Sequence, residues 1–330
     1  MDINNLPKIE LHCHLDGSLR VNTVIELARK ENIDLESYDY EYVKKLLCVN
    51  ENCSSLEEYL EKFDLPNKVL QSKENLRRAS YELLEDAAKD NIKYIEIRFA
   101  PIFHIKYGLT LTEVIQSVIE GISEAENNYD IKGNIILSCI RGIDLEHVYK
   151  TIEAGSKFIG QGVVAIDLAA KEKEDFAYEY IEAMKLAKAK GFRVTIHAGE
   201  TGFGKNVRDA INLLGAERIG HGVCIYNDKE AYELVKERGI TLEMCPKSNI
   251  DTKAVNVYNE HPIYKYHKDN IKVNISTDNR MVSNINLNEE TRNVIKAFNV
   301  TLEEYKEIYI NSVNAAFCSD VIKKELLKFI

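Results

Sequence analysis

The sequence has little basic charge, no long apolar run and no regular cysteine pattern. Its 330 residues include 43 Lys and Arg against 53 Asp and Glu, which gives a net charge of −10. This acidic balance argues against duplex nucleic acid and anionic membrane surfaces as partners, because both require a basic face. No stretch approaches the roughly 18 consecutive apolar residues of a membrane span, and the start of the chain shows no signal peptide. These absences predict a soluble, cytoplasmic protein.

The seven cysteines are odd in number and scattered through the chain. No pair has zinc-finger spacing, and a complete disulfide scheme would leave one thiol over. The simplest interpretation is a reduced, cytosolic protein. The sequence does not indicate its oligomeric state.

The chain also lacks a Pro/Ser-rich linker, an internal repeat and a low-complexity tract. With 45% hydrophobic and 29% charged residues, its composition is that of an ordinary globular protein. Because α/β barrels of this length commonly form one domain, we predict that residues 1–330 form a single domain.

Short apolar or β-branched segments alternate with amphipathic helical stretches, of which residues 111–127, 176–190 and 231–238 are the clearest. This alternation implies a parallel sheet with crossover helices, and eight such units close a barrel. The predicted fold is therefore an α/β protein, a (β/α)₈ TIM barrel. The predicted strands are 8–14, 94–99, 134–139, 163–168, 193–197, 218–222, 241–244 and 272–276.

Two regions exceed what a bare barrel needs. The first crossover runs from about residue 21 to residue 91 and contains several helical patterns. Within it, residues 54–63 are predicted to form a lid over the barrel mouth. The region after Leu287 adds further helix at the C-terminus.

Polar side chains concentrate at the predicted carboxyl ends of the strands, where barrel enzymes carry their chemistry. His12 and His14 are two residues apart in a strand, so both imidazoles face the barrel interior. The pair alone is compatible with structural hydrogen bonding or with metal binding. His197 and Asp278, near the ends of the fifth and eighth strands, favour a metal, because three imidazoles and one carboxylate suit zinc.

Two further polar residues lie at strand ends. Glu200 follows the fifth strand, a position that suits a general acid/base beside a metal-activated water, although a solvated glutamate that opens a helix would occupy the same place. His221 lies between Gly220 and Gly222, and alone it is more typical of a structural histidine. The residues by themselves leave both alternatives open.

Five motifs occur in order along the chain: LPKIELHCHLDGSLR at 6–20, HAGE at 197–200, RIGHGV at 218–223, CPKSN at 245–249 and STDN at 276–279. In order and spacing they resemble the adenosine deaminase family. SLEEYLEKFD at 55–64 is similar to the helical lid segment of that family. One motif would be weak evidence, whereas five in register on successive strands are strong.

The resemblance implies a zinc enzyme that converts adenosine, and 2′-deoxyadenosine, to inosine and ammonia. By position, Glu200 matches the residue that protonates purine N1, His221 the residue that orients the attacking water, and Asp16 a residue that binds the ribose 5′-hydroxyl. The implied ligands of the single zinc ion are His12, His14, His197 and Asp278.

Two positions depart from the family pattern. Asn279 stands where an Asp usually contacts purine N7, and an Asn amide can donate to that acceptor directly. Ala170 stands where a Gly usually presents its backbone N–H to purine N3, and the alanine methyl could crowd the base. Both residues are therefore assigned to the substrate pocket, with a purine nucleoside as the expected partner.

Other functions stay open on the sequence. A related deaminase could act on adenine or on a modified adenosine such as aminodeoxyfutalosine, although Asp16 favours a nucleoside. A two-metal hydrolase would need a bridging lysine on the fourth strand, and Lys171, which lies near the end of that strand but beyond Ala170, is interpreted as a solvated loop residue. An inactive binding barrel would have lost a ligand or the acid, and each of these positions is filled. Deaminases that act on nucleic acid are excluded, because their P-C-x-x-C signature is missing.

Overall fold

Eight parallel strands form one sheet whose spatial order follows the chain. The structure is a computed structural model, and it describes residues 2–50, 53 and 55–330. The strands are β1 (Lys8–His14), β2 (Ile92–Phe99), β3 (Lys132–Ile140), β4 (Val163–Ala169), β5 (Arg193–Ala198), β6 (Arg218–His221), β7 (Thr241–Met244) and β8 (Val273–Ile275). The predicted (β/α)₈ barrel is confirmed, and two of the predicted strands, β1 and β7, have the observed bounds.

Helices connect the strands and surround the barrel. They are α1 (Val21–Lys30), α2 (Tyr40–Leu47), α3 (Leu56–Leu60), α4 (Asp64–Val69), α5 (Lys73–Lys89), α6 (Leu111–Asn128), α7 (Glu146–Ser156), α8 (Ala177–Ala189), α9 (Gly204–Leu213), α10 (Lys229–Arg238), α11 (Pro246–Asp251), α12 (Ile263–Lys268), α13 (Leu287–Phe298), α14 (Leu302–Ala315) and α15 (Asp320–Leu326). Within the residues that the structure describes, every helix is too short or too polar to span a bilayer. All seven cysteines are free thiols.

The barrel closes where β1 meets the chain just beyond β8. β8 has three residues, and the bridge that completes the circle joins Cys13 to Asp278. The backbone N–H of His14 donates to the carbonyl of Asp278 (2.7 Å), and that of Asp278 donates to the carbonyl of His12 (2.9 Å). We call this junction the β1–β8 seam. Three of the predicted metal ligands are therefore tied together by the backbone.

Side chains complete the β1–β8 seam. Glu10 accepts hydrogen bonds from the backbone N–H (2.7 Å) and the hydroxyl (3.0 Å) of Thr277. Asn274 donates to the carbonyl of Ile9 (3.0 Å), and its side-chain oxygen accepts from Ser276. Because the strand is short, these side chains supply pairing that a longer strand would supply through its backbone.

The barrel interior contains a buried network of charges. Glu243 accepts hydrogen bonds from Arg98 (2.7 Å) and Arg218 (2.6 Å), and Arg218 also donates to Glu96 (2.5 Å). All four side chains are at most 1% exposed. Buried charges are tolerated when they are paired, and all four are paired here, although Nε of Arg98 has no hydrogen-bond partner among the described residues. The network fixes Glu243 at the floor of the cavity that the strand ends enclose.

The first crossover forms helices α1 to α5 and carries the predicted lid. In the lid, α3 is followed by a 3₁₀ turn over Glu61–Phe63 and then by α4. The hydroxyl of Tyr59 hydrogen-bonds that of Ser283 (2.8 Å), which anchors the lid to the segment after β8. Ser54, the first residue of the predicted lid segment, lies outside the described residues. The extra C-terminal helices α13 to α15 are also present, and α14 packs against β8 and β1.

Candidate metal centre and catalytic cavity

The carboxyl ends of three strands, β1, β5 and β8, bring the predicted ligands together. The Nε2 atoms of His12 and His14 each lie 3.3 Å from Oδ1 of Asp278. The Nε2 atoms of His14 and His197 are 3.3 Å apart. His12, His197 and Asp278 are almost completely buried. Three imidazole nitrogens and one carboxylate oxygen therefore point at a common centre, as the strand spacing predicts.

Each buried ligand is oriented by a second polar group behind it. Nδ1 of His12 lies 2.9 Å from Oε2 of Glu243, and Nδ1 of His197 lies 2.8 Å from Oδ2 of Asp167. When Nδ1 of an imidazole donates to a carboxylate, Nε2 keeps its lone pair for a metal. The hydroxyl of Ser248 donates to the outer oxygen of Asp278 (2.6 Å). In the sequence Asp167 stands out only as a polar residue at the end of the fourth strand, and the supporting roles of Asp167, Glu243 and Ser248 were not predicted.

The electrostatics of these supporting carboxylates favour their charged forms. Burial opposes ionisation of Asp167, but His197 and Arg98 outweigh it and hold the pKa of Asp167 below its usual range. Burial likewise opposes ionisation of Glu243, and the two arginines that contact it hold its pKa well below the usual value. Both groups therefore remain hydrogen-bond acceptors for the imidazoles near neutral pH.

The donor set fits a zinc ion. Nε2 of His12 is buried and has no hydrogen-bond partner among the described residues, although an unpaired buried nitrogen is costly. Nitrogen and carboxylate donors arranged in this way, at the end of a cavity, are typical of a catalytic zinc site. The residues present therefore fit the metal that the resemblance implies.

A further imidazole lies close to the same centre. His221 ends β6, and the ligand atoms of His12, His197, His221 and Asp278 lie within 4.8 Å of one another. Nδ1 of His221 is 3.1 Å from the side-chain nitrogen of Asn249, and its Nε2 is 3.7 Å from a carboxylate oxygen of Glu200. This group has His221 in the place of His14, so with His14 the site contains four imidazoles, one more than the predicted ligand set.

Glu200 lies in a turn that another buried glutamate holds. Glu172, after β4, accepts hydrogen bonds from the backbone N–H groups of Gly199 (2.8 Å), Glu200 (3.0 Å) and Thr201 (3.1 Å). It also accepts from the hydroxyl of Thr201 and the amide of Asn206. Every one of these contacts is with a donor, so the side chain of Glu172 serves here as a hydrogen-bond acceptor. Sequence reasoning missed this residue, because nothing local marks it apart from its position just beyond a strand end.

A cavity of about 410 Å³ opens above the cluster. Its walls combine the polar strand ends with an apolar lid. The lining residues are His14, Asp16, Leu56, Tyr59, Leu60, Phe63, Asp64, Asn67, Ala100, Phe103, Ser138, Ile140, Ala169, Ala170, His197, Glu200, His221, Asp278 and Asn279. With His12 buried directly below, all the predicted site residues meet in one place.

Two of the predicted substrate contacts, Asp16 and Asn279, are buried in this cavity. Burial raises the pKa of Asp16 to about 7. The side-chain oxygen of Asn279 has no hydrogen-bond partner among the described residues. It lies against Gly17, and a Cβ at that position would overlap it. Gly17 therefore provides the space in which the Asn279 amide lies.

Three residues at the strand ends have a left-handed backbone, which is unfavourable for side chains other than glycine. They are Ala170 (φ 71°), His221 (φ 63°) and Asp278 (φ 63°). The left-handed backbone at position 170 explains why the family pattern has a glycine there. For alanine this conformation is less favourable by about 1–2 kcal/mol of conformational free energy. Ala170 nevertheless keeps the backbone path, with its carbonyl held by Arg141 (2.5 Å). Such strain is typical of functional sites.

A parallel barrel with a histidine–aspartate cluster at its carboxyl end defines a metal-dependent amidohydrolase. The comparisons with known proteins identify the group. The family model "Adenosine deaminase" matches residues 7–330. The chain belongs to the adenosine deaminase family.

Individual proteins agree with this assignment. The adenosine deaminase of Clostridium perfringens is 67% identical to this chain over 326 residues, which are 99% of this chain and 98% of that protein. The adenine deaminase of Arthrobacter aurescens has the same fold, with a TM-score of 0.92 at 22% identity and 98% of each chain covered. An arabidopsis protein complexed with IMP superposes with a TM-score of 0.88 at 26% identity, covering 99% of this chain and 97% of that one.

Proposed function

We propose that this chain catalyses the zinc-dependent hydrolytic deamination of adenosine, and of 2′-deoxyadenosine, to inosine and ammonia. The observation that carries the proposal is the cavity in which Glu200 and His221 face a cluster of metal-ligand atoms. The 67% identity to an adenosine deaminase supports it. We further propose that residues 1–330 act as one domain in the cytoplasm, in keeping with the seven free thiols.

The zinc ligands in this proposal are His12, His14, His197 and Asp278. When bound, zinc supplies Lewis acidity that lowers the pKa of water toward about 7. The protein's own contribution is to orient the ligands through Glu243, Asp167 and Ser248, and to surround the reacting atoms with a buried, partly apolar cavity.

Glu200 moves the protons of the reaction. Its carboxylic acid donates a proton to purine N1, which makes C6 electrophilic, and water adds at C6. The carboxylate left on Glu200 then accepts one proton from the attacking water. The other water proton passes to the amino nitrogen as the C6–N6 bond breaks, which releases ammonia and leaves C6 as a carbonyl. Glu200 is thereby restored to its protonated form.

Three residues position the nucleoside. Asp16 binds the ribose 5′-hydroxyl, and its buried oxygen without a hydrogen-bond partner among the described residues supports that role. The amide of Asn279 donates to purine N7 after rotation about its last side-chain bond. Ala170 presents its backbone N–H to purine N3. Its backbone has the left-handed conformation that glycine adopts easily, so the N–H keeps the direction it would have in the glycine of the family pattern.

The cavity favours a nucleoside over a nucleotide. No lysine or arginine occurs among the described residues that line it, whereas Asp16 and Asp64 both do. A phosphate group in a buried site needs cationic donors, and two nearby carboxylates would repel it. This feature separates the proposed substrate from the IMP found in the arabidopsis neighbour.

Lys171, the lysine considered as a bridge for a two-metal mechanism, does not line the cavity. Lys171 is 60% exposed and pairs with Glu57 of the lid at 2.5 Å. It therefore points away from the ligands, as expected for a loop residue. An inactive barrel is disfavoured because the acid and three of the proposed ligands line the cavity, and His12 lies in the cluster below it.

A substrate panel tests the proposal. Initial rates are measured by ultraviolet absorbance for adenosine, 2′-deoxyadenosine, adenine, AMP and aminodeoxyfutalosine, each with zinc-loaded enzyme and after chelation. We expect kcat/KM for adenosine to exceed that for AMP by at least about 100-fold, because of the like charges in the cavity. A kcat/KM for adenine or aminodeoxyfutalosine above that for adenosine would overturn the proposed substrate. No turnover of any of these purines would overturn the reaction class.

Glu172→Gln tests the support of the acid. The amide would place donors against the backbone donors of the Glu200 turn, so the turn must shift. We expect kcat to fall by about 10- to 100-fold with little change in KM, because small displacements of a catalytic group are costly. Glu174→Gln, at an exposed neighbouring position, is the control. Equal kcat for the two variants would show that Glu172 does not position Glu200.

A further inference from the structure

A chain of hydrogen bonds lies behind His221 and begins at the backbone N–H of Ile263. His261 is 2% exposed, and its Nδ1 lies 3.3 Å from the backbone nitrogen of Ile263. A backbone N–H can only donate, so Nδ1 of His261 must accept. Burial lowers the pKa of His261 to about 3, so the ring is neutral and has one proton. That proton is therefore on Nε2.

Asn249 connects His261 to His221, and the donor of His261 decides which way the Asn249 amide is oriented. Nε2 of His261 is 3.1 Å from the side-chain oxygen of Asn249. Because Nε2 donates, the amide must present its oxygen to His261 and its nitrogen to His221. The amide nitrogen is 3.1 Å from Nδ1 of His221. Asn249 is fully buried, so solvent does not compete for these contacts.

His221 is the last member of the chain. An amide nitrogen donates and cannot accept, so Nδ1 of His221 is the acceptor of this hydrogen bond. A neutral imidazole whose Nδ1 accepts carries its proton on Nε2. Nε2 is the atom that faces Glu200 and the metal-ligand cluster.

We propose that Ile263, His261 and Asn249 form a relay that fixes His221 as the neutral tautomer with its proton on Nε2. His261 and Asn249 are positioning residues in this arrangement. They touch neither the ligands nor the reacting atoms, and they act through His221. The relay extends from the N-terminus of α12 through α11 to the end of β6.

The tautomer has two consequences at the site. A nitrogen that carries a proton cannot bind a metal, so the relay keeps His221 out of the coordination sphere although it lies as close as the ligands. The four ligands are then His12, His14, His197 and Asp278. The same proton makes His221 a hydrogen-bond donor to the attacking water as negative charge develops on its oxygen, and this excludes His221 as the base that deprotonates that water. The second consequence rests on the proposed function, whereas the tautomer does not.

The tautomer can be read directly in the wild-type holoenzyme. Protein labelled with ¹⁵N-histidine and loaded with zinc is studied by long-range ¹H–¹⁵N correlation, in which protonated and bare ring nitrogens differ in shift and coupling pattern. The His221 signals are assigned by their absence in His221→Gln. We expect a protonated Nε2 and a bare Nδ1. A proton on Nδ1 would overturn the relay, whatever the enzyme's activity.

Asn249→Asp reverses the polarity with almost no change in shape. A carboxylate can only accept, so it draws a proton of His221 onto Nδ1. We expect the Nδ1 signal to show this proton and kcat to fall by about 100-fold, the typical effect of a lost donor at a developing oxyanion, while zinc content stays at one per chain. A protonated Nδ1 together with kcat within twofold of wild type would overturn the catalytic consequence.

His261 variants test the distant end of the relay. Gln at position 261 keeps a donor near the place of Nε2, whereas Leu removes it. We expect His261→Leu to give a mixture of His221 tautomers and a loss of kcat of about 10-fold, and His261→Gln to restore most of both. His267→Leu, which removes another buried histidine of the same segment, is the matched control. Equal effects of the Leu variants at 261 and 267 would reduce His261 to a packing residue and overturn its role.

Discussion

Glu200→Gln is expected to lower kcat for adenosine by about 10³-fold or more while one zinc ion stays bound per chain. The substitution keeps the shape of the side chain and all the ligands, but an amide has no acidic proton to give to N1. The effect is confined to chemistry, so the affinity for inosine or for a non-reacting purine nucleoside should change little. The measurements are steady-state rates, metal content by atomic emission and equilibrium binding of the product.

The control for this change is Glu179→Gln, which makes the same chemical substitution on the exposed surface of α8. Its kcat should equal that of wild type. Residual activity of Glu200→Gln above about one-tenth of wild type would mean that another group protonates the purine. Loss of zinc would instead place Glu200 among the ligands.

His12→Ala is expected to remove the metal and the activity together. The variant loses one ligand nitrogen, and Glu243 loses one of its hydrogen-bond donors in the barrel floor. Because removal of even an orienting group typically costs about 10- to 100-fold in metal affinity, loss of a ligand should cost at least 100-fold. After gel filtration in metal-free buffer we expect well below one zinc ion per chain and no measurable turnover.

His267→Ala serves as the control, since this histidine is buried outside the cavity. It should retain one zinc ion per chain and full kcat. A His12→Ala protein that keeps stoichiometric zinc would show that the centre uses His221 instead, and that result would also contradict the tautomer relay. Differential scanning calorimetry of each variant, with and without added zinc, separates loss of metal from loss of fold.

The barrel and the clustering of the candidate ligands could be predicted from the sequence because both depend on local patterns. The i, i+2 spacing of His12 and His14 fixes their common face once the segment is a strand. Alternation of apolar strands with amphipathic helices fixes the parallel topology. The predicted strands at 8–14 and 241–244 have the observed bounds, whereas the third extends at both ends to Lys132–Ile140. Strand ends are set by pairing partners, and a single strand does not reveal them.

The supporting residues could not be predicted in the same way. Glu172 becomes meaningful only when its carboxylate lies beside the Glu200 turn, 28 residues along the chain. Asn249 lies within the motif CPKSN, yet its contacts to His221 and His261 come from elements that are distant in sequence. Ala170 is the instructive case, because the departure from glycine was visible whereas the left-handed backbone that explains it was not.

Because some motif residues close the barrel, the presence of a motif does not by itself indicate catalytic activity. Of the four residues in STDN, Ser276 and Thr277 serve the β1–β8 seam, and Thr277 does so through Glu10 of the first motif. Natural selection for a closed barrel would therefore preserve much of both motifs in a descendant that had lost catalysis. In such a lineage the residues next to the ligands would be conserved after catalytic activity had been lost. The diagnostic positions are the proposed ligands and the acid, and a search weighted toward His12, His14, Asp278 and Glu200 would distinguish enzymes from their inactive relatives.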